Sequence, residues 1–132
     1  MVERRIVNPW TWQDSRGFVQ ANEVRGAERV IYCAGVISVD DDGQPLHEGD
    51  MRAQAMRALD NLETILSQSD CELTDVVRLT IYTTDMDMYL GAAPEIRARL
   101  AAAGCRPAST LLGVARLAMP QLLIELEATA VK

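Results

Sequence analysis

The sequence is poor in the residues that many reactive centres require. It has one histidine, His47, and three widely spaced cysteines, Cys33, Cys71 and Cys105. A single histidine cannot supply a histidine-rich zinc or iron site, and the cysteines have neither metal-ligand spacing nor the even number of a disulfide framework. We therefore predict no metal. Cys105 next to Arg106 is the one alternative, an activated thiol, although no histidine base lies nearby in the sequence.

Long apolar segments are also missing. The first residues, Met1–Arg5, are followed by mixed polar and aromatic residues rather than by the continuous apolar stretch of a signal peptide. No run of apolar residues is long enough to cross a bilayer. We therefore expect a cytoplasmic protein that has no membrane partner.

Positive charge is the third deficit. Thirteen lysines and arginines stand against 19 acidic residues, which leaves a net charge of -6. This balance disfavours nucleic acid as a partner, because such binding depends on basic side chains that neutralise phosphates. The 132 residues, 48% of them hydrophobic, fit one domain over residues 1–132, with residues 1–16 as an N-terminal arm.

Hydrophobic periodicity predicts an α+β fold with one mixed sheet. The predicted order is strand, strand, helix, strand, helix, strand, strand. Asp50 is the expected N-cap of the first helix, Pro94 either opens or kinks the second, and Gly104 ends it. The segments are a hairpin of residues 17–24 and 29–39, a helix to residue 67, a strand at 74–84, a helix at 86–103, and strands at 109–117 and 121–131.

The last predicted strand carries two acidic residues on one face. Leu122, Ile124 and Leu126 alternate with Glu125 and Glu127, so both carboxylates point the same way. For Glu125 the pattern leaves two interpretations open, a proton donor or acceptor and a structural partner of arginines or backbone amides. For Glu127 a structural role is favoured.

Several separated motifs of the chain form a recognisable set. They are Gly17-Phe18-Val19-Gln20, Ala34-Gly35, Gln54, Leu59-Asp60-Asn61, Asp75-Val76-Val77-Arg78, Pro107-Ala108-Ser109-Thr110 and Ile124-Glu125-Leu126-Glu127-Ala128. Together with the predicted element order, this set resembles the RidA family, also known as the YjgF/YER057c or L-PSP endoribonuclease-like family. The resemblance implies a chorismate-mutase-like or ferredoxin-like subunit whose mixed sheet is packed by two helices. It also implies a homotrimer with ligand clefts between subunits.

The same resemblance implies a chemistry. The deaminase branch of the family hydrolyses small enamines and imines to 2-oxo acids and ammonia, with no cofactor. One arginine holds the substrate carboxylate, which suits its planar, permanently charged fork. A glutamate on the last strand helps to activate the attacking water.

Matched residue by residue, this chain keeps only part of that site. The glutamate corresponds to Glu125, but the carboxylate-binding arginine corresponds to Ser109. The family tyrosine is matched by Phe18 and a serine before the strand glycine by Ala34. The predicted catalytic residue is thus Glu125, and the predicted substrate-binding residues are Phe18, Ala34, Gly35, Arg106, Ser109 and Leu111.

Arg106 is the nearest cation to the missing one. It lies three positions before Ser109, so on an extended chain it starts roughly 10 Å away and on the opposite face, unless a bend at Pro107 redirects it. Arg116 lies on the face opposite Ser109. For both arginines, surface ion pairing is the alternative interpretation.

The resemblance and these residues leave three functions open. The first is hydrolysis or binding of a small metabolite, such as an enamine or imine, in intersubunit clefts with Glu125 as acid or base. The second is a non-catalytic metabolite-binding or regulatory trimer. The third, an endoribonuclease or translation inhibitor, is disfavoured by the acidic charge and the lack of histidine.

Overall fold

The structure is a computed structural model that describes residues 1–132. Two helices pack on one face of a mixed sheet, which confirms the α+β fold class. Neither helix has the length and apolar content needed to span a bilayer. The elements are β1 Glu3–Val7, β2 Ala21–Arg25, β3 Val30–Tyr32, β4 Val36–Ile37, α1 Met51–Ser67, β5 Val76–Thr83, α2 Met86–Ala102, β6 Ala108–Gly113 and β7 Ile124–Val131, with short 3-10 turns at Asp14–Arg16 and Leu73–Asp75.

The main sheet has five strands. Its order is β3-β7-β5-β6, and β4 also pairs with β7. Strands β5 and β6 are parallel, joined by α2 as the crossover, whereas every other pair is antiparallel. The last two strands of the chain are therefore not neighbours, because β5 lies between them. They are also shorter than predicted, with β6 ending at Gly113 and β7 beginning at Ile124.

The predicted hairpin of residues 17–24 and 29–39 is wrong. Strand β2 pairs with β1 in a separate two-stranded sheet, and β3 pairs with β7. The turn at Gly26 does form, with φ +70°, but it carries the chain from one sheet to the other. Strand β1 falls within the predicted arm. It is not predicted as a strand because its first three residues, Glu3-Arg4-Arg5, are charged and give no apolar alternation.

The predicted strand 29–39 is interrupted at Cys33-Ala34-Gly35. Tyr32 pairs with Thr129 and Val36 pairs with Leu126, so three residues on this side face only two residues of β7. One extra residue in an antiparallel pair is the signature of a β-bulge, which bends the strand and re-aims side chains. The bend lies opposite Glu127 and Ala128 of β7.

The helix boundaries follow their predicted signals. The Asp50 carboxylate accepts a hydrogen bond from the Ala53 N–H at 3.0 Å, as an N-cap does. Helix α2 begins after its own cap, Asp85, so Pro94 lies inside the helix and does not open it. Gly104 follows the end of α2 with φ +69°, which confirms its role in stopping the helix.

The core lies between the helices and the sheet. Leu59, Leu62 and Leu66 of α1 are at most 1% exposed, and they pack with the side chains of β5 and β7 that point toward the helices. Burial of these side chains holds the helices against the sheet, and the sheet carries the candidate site residues.

Candidate functional site

Strand register divides the candidate residues between two faces of the sheet. Ser109 lies beside Leu79 and Leu111 beside Ile81, so both point to the side where the helices pack, here called the helix-covered face. Tyr82 lies beside Glu125 in β7, and both point to the other side, here called the open face. The open face carries Arg78, Thr80, Tyr82, Thr110, Leu112, Glu125, Glu127 and Thr129.

On the open face, the structure brings Glu125 into contact with Gly35. Glu125 is half-buried, and a Cβ added at Gly35 would overlap its carboxylate. Glycine is therefore needed here for close approach rather than for an unusual backbone angle. Ala34 is exposed beside this contact, so three of the predicted site residues, Ala34, Gly35 and Glu125, come together at the β3–β4 bend.

Glu127 has a partner on the same face. The Tyr82 hydroxyl donates a hydrogen bond to Oε1 of Glu127 at 3.0 Å. This bond, followed by burial and by the negative charges of Glu127 and Glu125, raises the pKa of Tyr82, which Arg78 partly opposes. The arginine in turn donates to the Thr110 hydroxyl at 2.8 Å. The partner of Glu127 is thus a tyrosine hydroxyl and not the arginine or backbone amide of the structural interpretation, and the role of Glu127 stays a prediction. The residues of both bonds line a cavity of about 440 Å³.

The second group of predicted residues lines a larger cavity. Phe18, Ser109 and Leu111 contribute to a space of about 810 Å³ between α2, strands β5 and β6, and residues 12–18. Most of its walls are apolar, and Trp12 and Phe18 meet edge to face with ring centres 5.9 Å apart. Ser109 is the polar group that the sheet supplies to this cavity.

Arg106 is exposed, and its side chain lines an adjoining cavity of about 370 Å³. Gly17, Phe18 and Arg97 line both cavities, so Arg106 stands next to the Ser109 cavity but is not part of its wall. The ion pairs of the chain involve neither Arg106 nor Arg116. The alternative of surface ion pairing is therefore not realised for either arginine.

Within one chain, the two groups do not meet. Glu125 and Gly35 lie on the open face, whereas Ser109 and Leu111 lie on the helix-covered face, and β5 separates their strands. A single site that contains both groups requires a second copy of the chain.

Sequence reasoning missed the cations of the larger cavity, Arg16 and Arg97. One signal was present for Arg97. The buried residues Ala93, Ile96 and Leu100 mark one stripe of α2, and Arg97 stands inside this stripe at helical spacing. A charged residue within an otherwise apolar helical stripe indicates a special role for that side chain.

The activated-thiol alternative is contradicted. Cys105 is 3% exposed, and burial raises the pKa of its thiol to about 12, an effect that Arg4 only partly opposes. The thiolate that would act as a nucleophile is thus a minor form at neutral pH. No three His, Cys, Asp or Glu side chains come together as a metal-binding group.

Comparison with known proteins agrees with the fold and the motifs. The family model described as endoribonuclease L-PSP matches residues 13–132, and the chain belongs to this family, the RidA/YjgF family. The RutC family protein UK114 of Drosophila melanogaster is 32% identical over 109 residues, which cover 83% of this chain and 77% of the relative. The mouse 2-iminobutanoate/2-iminopropanoate deaminase is 32% identical over 105 residues, which cover 80% and 76% of the two chains.

A solved structure is similar over almost the whole chain. The conserved Rid-family protein YyfB from Yersinia pestis is 32% identical, has a TM-score of 0.86, and covers 98% of both chains. The match also covers the residues that precede Phe18. Strand β1 and the wall that residues 12–18 give to the larger cavity therefore belong to the shared fold.

Proposed function

We propose that this protein is a homotrimer that binds a small carboxylate-bearing enamine or imine in clefts between subunits and hydrolyses it. The placement of Glu125 carries the proposal. Its carboxylate lies against Gly35 on the open face, where no side chain from that residue stands between it and a ligand. Some relatives of this chain bear the name of imine deaminases.

The separation of the two groups of residues supports a shared cleft. Ser109 and Leu111 stand at β6, the edge of the sheet, on the face opposite Glu125. A neighbouring copy that presents its Glu125 to this edge would complete one site from two chains, and a closed ring of three copies would form three such clefts. Sedimentation equilibrium tests this part of the proposal, with an expected mass three times that of the 14.5 kDa chain.

In the proposed reaction, water adds to the carbon of the C=N bond. Glu125 accepts a proton from the water as the C–O bond forms and returns it to nitrogen, which gives the carbinolamine. Glu125 then accepts the hydroxyl proton and passes it to nitrogen as the C=O bond forms and the C–N bond breaks, which releases ammonia. An enamine such as 2-aminoacrylate enters the same path as its imine tautomer. The products are a 2-oxo acid and ammonia, so the step requires no oxidant and no cofactor.

The test uses freshly generated 2-aminoacrylate, with release of 2-oxo acid and ammonia as the measurement. We expect Glu125→Gln to lower kcat by about 10²–10⁴-fold, the usual contribution of a general acid or base. Glu127→Gln is the matched control, on the same face and strand, and should retain most of the activity. Gly35→Ala should also lower kcat, because the new Cβ displaces the Glu125 carboxylate. No acceleration over buffer by the unmodified protein would remove the reaction from the proposal.

A specific observation favours a second candidate, a non-catalytic metabolite-binding trimer. Phe18, Ala34 and Ser109 replace polar groups of the deaminase branch, and the cavity beside Ser109 is mostly apolar. A binder should tolerate Glu125→Gln with little change in ligand affinity and should show no turnover. Ser109→Arg should increase affinity for small carboxylates if the cleft has the proposed geometry.

Cytoplasmic location is part of the same proposal. Its support is that Cys33, Cys71 and Cys105 are all free thiols, which suits a reducing compartment. Fractionation of cells that produce the protein would test it.

A further inference from the structure

Arg97 is a half-buried arginine that has no partner. The half-buried arginines of the chain are Arg4, Arg57, Arg97 and Arg99. Arg4 and Arg57 donate to backbone carbonyls, and Arg99 pairs with acidic side chains, but Arg97 makes no hydrogen bond or ion pair. No buried side-chain nitrogen or oxygen of the chain lacks a partner, so the unpaired guanidinium nitrogens of Arg97 remain open to solvent in the cavity wall. They are therefore free to bind an anion from outside the chain.

The position of Arg97 is held by the backbone next to it. The first carbons of its side chain pack against Gly17, where an added Cβ would lie 3.3 Å from both Cγ and Cδ of the arginine. Gly17 itself has φ +77°, which favours glycine. This contact fixes the stem of Arg97 between α2 and the N-terminal segment, so the side chain forms part of the wall that it shares with Ser109.

The rest of this cavity suits an anion whose remaining part is apolar. Leu79, Ile96 and Leu111 are among the apolar lining residues, and no aspartate or glutamate lines the cavity. Arg16 adds a second cation, with its guanidinium carbon 5.6 Å from the centre of the Trp12 ring. The volume of about 810 Å³ exceeds what a three-carbon substrate would fill.

We infer that Arg97 supplies the carboxylate-binding cation that Ser109 does not, and that the ligand is a monocarboxylate with an apolar or aromatic body. This inference rests on the proposed function, since it specifies the ligand of the same cleft. Arg97 binds the carboxylate, the apolar floor holds the body, and Arg16 adds positive charge beside Trp12. Because the cation stands on α2 as Arg97 and not on β6 at position 109, the space next to Ser109 is free for a larger substituent of the ligand.

The test compares phenylacetate with phenylacetamide, its neutral counterpart of similar shape, by isothermal titration of the intact protein. We expect phenylacetate to bind at least about tenfold more tightly, as a charge-assisted hydrogen bond requires. Arg97→Met should abolish this preference while leaving phenylacetamide binding unchanged, and Arg97→Lys should keep part of it. Arg116→Met, which removes an exposed arginine outside the cavity, should behave as the unmodified protein.

Three results would overturn the inference. They are equal binding of the two compounds to the unmodified protein, an unchanged preference in a folded Arg97→Met variant, and no saturable binding of phenylacetate. Glu125→Gln separates the inference from the proposed reaction. If the unmodified protein hydrolyses no imine but phenylacetate binding depends on Arg97, the reaction fails and the inference stands. If turnover depends on Glu125 but phenylacetate binding does not depend on Arg97, the inference fails alone.

Discussion

The two faces of the main sheet carry different groups of the predicted site residues. The open face carries Glu125 and the glycine against which it lies. The helix-covered face carries Ser109, which the family resemblance matches to the carboxylate-binding arginine, together with a mostly apolar cavity that Phe18 also lines. The two groups of residues lie on opposite faces and on strands that β5 separates, so each group can be tested by substitutions of its own.

The faces also differ in how they contribute to stability. Residues of β7 that point to the helices, such as Ile124 and Leu126, are at most 2% exposed, whereas Glu127 between the strand's buried positions is exposed. Stability should therefore depend on the helix-covered face, and ligand chemistry on the open face and the sheet edge. The following substitutions test this division.

Leu126→Ala should have the largest effect on stability. It removes a side chain that is 2% exposed in the core, and such truncations cost about 2–5 kcal/mol of the free energy of unfolding. Its neighbour variant, Glu127→Gln, should change stability far less. Urea unfolding of both variants is the measurement. Equal losses would show that the open face is as important for folding as the helix-covered face.

Gln54→Leu should have an intermediate effect. The Gln54 amide donates to the carbonyls of His47 and Gln121 at 3.1 and 2.9 Å and accepts from the Leu123 N–H at 2.8 Å. Leucine would leave these partly buried groups without their partner, at a cost of about 1–3 kcal/mol. The substitution should also increase amide hydrogen exchange in the segment that leads into β7.

The matched control for that variant is Gln44→Leu. Gln44 is exposed in the turn before α1, so the same chemical change there should leave the free energy of unfolding nearly unaltered. A loss as large as that of the Gln54 variant would mean that leucine itself, rather than the lost hydrogen bonds, is responsible.

Tyr82→Phe should have the smallest effect, and that effect should depend on pH. Because the hydrogen bond to Glu127 raises the pKa of Tyr82, the bond stabilises the folded state below the ordinary tyrosine pKa of 10.0. This contribution is lost as the pH rises through the raised pKa. Ultraviolet titration of the phenolate, as the difference between the unmodified protein and Tyr82→Phe, should show a pKa above the ordinary value.

Glu127→Gln provides the check on this titration. Removing the negative charge should lower the pKa of Tyr82 toward its ordinary value, because the charge favours the neutral phenol. An unshifted midpoint in this variant would mean that the negative charge of Glu127 is not the cause. The same substitution thus reports on the open face in both the stability and the titration experiments.

Features that depend on near neighbours in the chain were predictable. The N-cap at Asp50, the helix end at Gly104, and the common face of Glu125 and Glu127 each follow from a few adjacent residues and the repeat of a helix or strand. The family motifs likewise drew attention to Glu125 and Ser109 as predicted site positions. Whether Glu125 acts as acid or base stays a prediction, as does the substrate-binding role of the other site residues.

Strand pairing and the unpaired arginine were not predictable in this way. The residues of β2 and β3 have the pattern of a hairpin, but each obtains its hydrogen-bond partner from a distant part of the chain, β1 or β7. The position of Arg97 against Gly17 joins residues that are far apart in the sequence. Periodicity shows that a residue lies on a given face, but it does not identify the element that packs there.

The last two strands of the chain, β6 and β7, show what the sequence determines and what the tertiary structure determines. By itself, the sequence determined the family and the α+β class, and it led to the prediction of Glu125 and Ser109 as site positions, because each is a matter of residue identity and local repeat. Only the tertiary structure decided that these two residues face opposite sides of the sheet, with β5 between their strands. It also decided that a cation from α2 lines the cavity of Ser109. The reason is physical, since strand order and helix packing arise from burial of the whole chain and not from any one segment.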